Sequence, residues 1–142
     1  MHQYNIPVNA LFVFFLTLLS FMALSQEMKT QTNTALSVSS KEFFNEYVHL
    51  IHDTETLIID GRTDEMFANG HIENALNIDA DMDNLVVELS KHLDVPRIVV
   101  YCTTNRRTLD IVYELEKLYK GELIYISDGI KGWRANGYPV IE

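Results

Sequence analysis

The chain has 142 residues, a length that suits one domain. It carries 11 Lys and Arg against 20 Asp and Glu, a formal net charge of −9. That balance argues against nucleic-acid binding, which wants a basic face, and the acidic surplus reads as a solubility feature. A single cysteine, Cys102, excludes an internal disulfide.

Leu11 to Leu24 reads LFVFFLTLLSFMAL, an apolar run without a charge. Ala23-Leu24-Ser25 then puts small residues where a signal peptidase reads, so residues 1–25 are expected to be a signal peptide cleaved before Gln26. The preceding MHQYNIPVNA has no Lys or Arg, a departure from the usual export signal. The run is shorter than the ~20 residues a membrane span prefers. An uncleaved anchor over residues 6–24 is the alternative, and only then would the protein meet a membrane. No cysteine follows the run, so no lipid attaches there. The expected location is therefore exported, in a bacterium the periplasm. Residues 26–36 are polar and Thr/Gln-rich and read as a flexible leader, which leaves 37–142 as the folded domain.

Ser39-Ser40-Lys41-Glu42 has the spacing of a capping box. Phe43, Phe44, Tyr47, Val48 and Ile51 follow at helical spacing. His49 and His52 would share a face of that helix, but no third ligand lies near, so a metal site is not expected. Thr56 to Asp60, TLIID, is a short strand that ends at Asp60-Gly61-Arg62. A short helix is expected from Asp64 to Asn69, stopped by Gly70. His71 is expected to fix the following loop by hydrogen bonding rather than to act as a base. Residues 71–78 then lead into another extended piece. Asp81 is expected to cap a helix whose stripe is Met82, Leu85, Val86, Leu89 and Leu93, and Pro96 ends it.

Arg97 to Tyr101, RIVVY, is a buried-strand pattern closed by Cys102. A polar loop, Thr103-Thr104-Asn105-Arg106-Arg107, is expected next, followed by a helix from Leu109 to Tyr119. A thiol between a strand's C-terminal end and a helix N-terminus lies where open α/β sheets bind ligands. Unpaired N–H groups, the helix dipole, and Arg106 and Arg107 together favour a thiolate there, the nucleophilic form. Counting Arg97, three arginines stand against Asp110, so a locally positive pocket for a small anion is expected. Leu123 to Ile126 is a further strand, and Ser127-Asp128-Gly129 a turn. A short helix from Ile130 to Asn136 holds Trp133, whose expected role is packing. The order α, β, α, β, α, β, α, β, α predicts an α/β domain of three layers, with a mostly parallel central sheet between helices.

Four pieces in order resemble the rhodanese-like domain family: Ile59-Asp60-Gly61-Arg62 with Glu65 and Phe67; Gly70 to Ile78; Val100-Tyr101-Cys102 through Arg107-Thr108; and Asp128 to Trp133 with Gly137-Tyr138-Pro139-Val140. The resemblance covers residues 38–140. It implies sulfur transfer through a persulfide on Cys102, from a small anionic donor such as thiosulfate or a persulfide to a thiol or cyanide, with a thiol borne by a protein as one form of acceptor. It further implies that the backbone of Thr103, Thr104, Asn105, Arg106 and Arg107 cradles the sulfur, and that Arg107 orients the donor. Asp60, Arg62 and His71 would support the site, with no metal or organic cofactor. Thr103 stands where the family often has Arg, Asn105 where it often has Gly, and Gly61 where it commonly has Val.

Two other readings compete. Cysteine phosphatases place five residues between Cys and Arg. Here four separate Cys102 from Arg107, a tighter loop sized for one sulfur rather than a phosphate. A non-catalytic docking or sulfur-delivery module is the other alternative, although such domains commonly lack the cysteine. With no second thiol, release of the sulfur needs an outside acceptor.

Overall fold

Five short runs rich in Ile, Val and Leu pair side by side: β1 (Leu36–Val38), β2 (Thr56–Asp60), β3 (Ala75–Asn77), β4 (Arg97–Tyr101) and β5 (Glu122–Ile126). They are seen in a computed structural model that describes residues 34–142. The expected signal peptide or anchor, and most of the expected leader, lie outside the described residues. Every pairing is parallel, in the order β1-β5-β4-β2-β3. The expected α/β class is therefore observed, with an entirely parallel five-stranded sheet.

The strands alternate their side chains between two cores, as the period-2 geometry of a strand requires. In β4, Val99 and Tyr101 join one core, and Ile98 and Val100 the other. The first core is completed by the helical segment after β1 and by α5 (Gly129–Ala135), through Phe43, Leu50, Ile51, Ile130 and Trp133. The second is completed by α3 (Leu85–Ser90) and α4 (Asn105–Leu118), through Leu89, Ile111, Val112 and Leu115. Continuous apolar strands are what a sheet covered on both faces needs. Trp133 is fully buried, and its indole N–H donates to the Pro139 carbonyl at 2.7 Å.

The structure differs from the sequence reading at four places. Leu36, counted with the leader, opens β1, so the order begins with a strand; Leu36 pairs with Ile124 of β5. The first helix is not one regular helix. It starts as α1 (Ser40–Glu42), capped by Ser39 Oγ on the Glu42 N–H, and passes through a π-helix (Phe43–Tyr47) into a 3-10 turn (Val48–His52). Asp81 is not a cap. Asp79 organises the turn there, accepting from the Asp81 N–H, and α3 begins only at Leu85. Finally, α4 begins at Asn105 rather than Leu109, so the expected loop shrinks to Thr103-Thr104. Asn105, Arg106 and Arg107 form the first helical turn. A helix's first turn can be wholly polar, because it need not touch the core. The short helix after β2, α2 (Asp64–Ala68), is capped by Thr63 and ends before Gly70, whose φ is +112°.

Candidate functional site

Parallel pairing sets β2 and β4 in register, Asp60 opposite Tyr101, so the two strands end at one edge. The Gly61 N–H donates to the Tyr101 carbonyl at 2.8 Å, and the Cys102 thiol donates to the Gly61 carbonyl at 3.4 Å. Cys102 therefore sits where the parallel topology gathers the loops that follow each strand.

Asp60 and Arg62 support this edge from inside. Both are buried. The guanidinium makes several hydrogen bonds to the carboxylate, and its Nη2 also donates to the Gly70 carbonyl at 2.9 Å. Losing one partner of such a buried pair leaves a bare charge and typically costs about 3–5 kcal/mol. Tyr101 adds its hydroxyl, which accepts the Ile72 N–H at 3.0 Å. Burial, with Asp60 alongside, drives the phenol far above its ordinary range. His71 stacks on Phe67 at 3.7 Å, and its Nδ1 is 3.1 Å from the Phe67 carbonyl oxygen. Its backbone forms an antiparallel bridge with Ile141.

The Cys102 backbone is held from the other side. Gly129 opens α5 at φ +58°, and a Cβ there would fall 2.3 Å from the Cys102 carbonyl oxygen. This close approach lets the Ile130 N–H donate to the Cys102 carbonyl at 2.8 Å and the Lys131 N–H to the Thr103 carbonyl at 3.4 Å.

The residues that follow Cys102 wall a cleft of about 380 Å³, lined by Asp81, Thr103, Thr104, Arg106 and Arg107. Arg107 spans it. Its Nη1 donates to Asp81 Oδ2 at 3.2 Å, and its Nη2 to Thr103 Oγ1 at 3.1 Å and towards Met66 Sδ at 3.7 Å. Asn105 is the first residue of α4 and Thr104 is its N-cap position, with no side-chain cap bond.

Two expectations about this site are corrected. Arg97 takes no part, because it begins β4 at the opposite edge, about 13 Å away along a five-residue strand. There it pairs with Asp53 and Glu122. The thiol is also not biased towards the thiolate. Cys102 is 0 % exposed, and burial pushes its pKa up, while the Thr103 N–H and Arg107 pull the other way. Desolvation of the charged form outweighs the Thr103 hydrogen bonds and the arginine.

Sequence reasoning missed Asp81, which lines the cleft, and Met66, whose sulfur meets Thr103 and Arg107. Neither is near Cys102 in the chain. The signal was the predicted topology: in a parallel sheet, the segments following β2 and β3 arrive at the same edge as the one following β4.

The rhodanese-like domain model matches residues 44–136. The chain belongs to the rhodanese-like domain family. Among relatives, an uncharacterized protein of Buchnera aphidicola subsp. Baizongia pistaciae is 28% identical over 93 residues, 63% of each chain. A rhodanese-related protein from Thermoplasma volcanium superposes with a TM-score of 0.60 at 21% identity, over 75% of this chain and 97% of that one. Thiosulfate sulfurtransferase from Pseudomonas aeruginosa gives the same TM-score at 19% identity, over 76% of this chain but 20% of that one. At such identities the two structures share the fold with this rhodanese-like domain, and the fold alone. In this member the arginine five residues after the cysteine is paired with a carboxylate, Asp81.

Proposed function

We propose that this rhodanese-like domain transfers sulfane sulfur through a persulfide on Cys102. The observation that carries the reading is the placement of Cys102 directly after β4, immediately before the residues Thr103, Thr104, Arg106 and Arg107 that wall a cleft. In the first half-reaction the Cys102 thiolate attacks the outer sulfur of a thiosulfate- or persulfide-type donor. The donor's S–S bond breaks, a bond from Cys102 to that sulfur forms, and sulfite or a thiolate leaves. In the second, cyanide or a thiol takes the terminal sulfur, and Cys102 returns as thiolate. The acceptor comes from outside, since the chain has no second thiol. Arg107 orients the donor, and the N–H groups of the first turn of α4 face the transferred sulfur. The cycle uses no metal or organic cofactor. The apolar run at residues 11–24 supports export, with the mature chain starting at Gln26.

Intact mass tests the reading. The protein gains one sulfur atom from thiosulfate or cysteine persulfide and loses it to cyanide, and the same spectrum reads whether the chain starts at Gln26. Cys102→Ser gains nothing. Equal loading of the Cys102→Ser variant would overturn the mechanism.

One observation favours a second reading, a docking module without turnover. Cys102 is fully covered, and its thiol is held protonated by burial. Under that reading a reduced Cys102 takes no sulfur from either donor.

A further inference from the structure

The cleft is not the purely cationic pocket that a small dianion would suit. Asp81 lines it, with a side chain 63 % exposed, so its charge faces the space a donor would enter. Asp81 Oδ2 also holds Arg107 Nη1 at 3.2 Å, and Asp79 contributes to the field at the same guanidinium. The neighbouring cleft is acidic as well, walled by Asp64, Glu65, Asp79 and Glu88. The cation nearest the thiol is thus already paired, and a second negative charge on a ligand would meet carboxylates on this side. Like charges in a partly desolvated cleft repel more strongly than in water.

We propose that Asp81 is a specificity-determining residue that turns the cleft away from dianionic donors such as thiosulfate and towards organic persulfides of lower charge. The inference rests on the sulfur-transfer reading. The favoured loading step balances without a further reactant: R–S–S⁻ and the Cys102 thiol give Cys102–S–S⁻ and R–SH. The donor's S–S bond breaks, the new one forms at Cys102, and the thiol proton ends on the departing R–S⁻. Asp81 acts from the cleft wall in two ways, by occupying Arg107 and by repelling the second charge of a dianion.

The test compares two donors on one protein, so that general damage cancels. Loading of Cys102 is followed by intact mass with thiosulfate and with cysteine persulfide, a monoanion, and kcat/KM is taken for each. In Asp81→Asn the thiosulfate-to-persulfide ratio rises about tenfold, the scale of one charge interaction in a half-exposed cleft, chiefly through a lower KM for thiosulfate. In Asp81→Glu, which keeps the charge, the ratio stays near that of the parent. A ratio that moves less than twofold in Asp81→Asn, with Cys102 still loading, overturns the specificity role and leaves sulfur transfer standing. Absence of loading from both donors in the parent and in both variants, with Cys102 reduced, overturns sulfur transfer and the specificity role together.

Discussion

At the scale of single residues, the charge state of Cys102 is decided by burial. The thiolate is the reactive form. The Thr103 N–H and Arg107 both favour it, yet burial of the fully covered sulfur pushes its pKa up. Labelling by iodoacetamide therefore follows an apparent titration whose midpoint lies above the ordinary ~8.5 of a free cysteine, and a midpoint below it would contradict this account. The sign for stability is the same. The folded state prefers the protonated form, so this group's stabilising contribution is complete below ~8.5 and is lost as pH rises through the higher folded value. The position of Cys102 was legible, because a lone cysteine between a β-branched run and two arginines is conspicuous. Its protonation was not legible, since desolvation depends on neighbours such as Gly61 that lie 41 positions away. For the same reason Asp81 read as a helix cap. Its contact with Arg107 joins residues 26 apart and leaves no trace in either neighbourhood.

Among the elements, the strands and α4 followed from periodicity because each has an apolar side to bury. What escaped was too short or too polar to show a period: β1 is three residues long, and the first turn of α4 is Asn105-Arg106-Arg107. The irregular helical segment after β1 escaped for another reason, since Phe43, Phe44 and Tyr47 fit helical spacing whether the turns are α, π or 3-10. The element with most influence on the site is α5, which was read only as a packing helix around Trp133. Its entry residue, Gly129, combines a left-handed backbone with contact to the Cys102 carbonyl. Gly129→Ala brings both strain and a clash with backbone, so it lowers stability by about 2–3 kcal/mol in urea unfolding. Sulfur loading falls with it under native conditions. A stable variant with parental loading would show that α5 does not set the Cys102 backbone.

For the whole domain, the sheet makes the two cores one cooperative unit. Residues 98–101 of β4 feed both cores alternately, so neither side can melt while the other stays packed. Trp133 reports on one core, and Cys102 lies at the edge shared by both. In urea, the Trp133 fluorescence transition and the loss of Cys102 protection from alkylation share one midpoint; two separated midpoints would mean that the layers unfold independently. The pairing of β1 with β5 carries a consequence for biosynthesis. Among the described residues, β1 has no hydrogen-bonded strand neighbour until residues 122–126 have been made, and the Cys102 carbonyl has no donor until Ile130 follows. A ribosome-bound chain that has already exposed its thiol therefore still lacks both the closed sheet and the clamp on that thiol. Completion of the site is an event that follows translation of β5 and α5, and the chain remains unfolded enough to be threaded elsewhere until then.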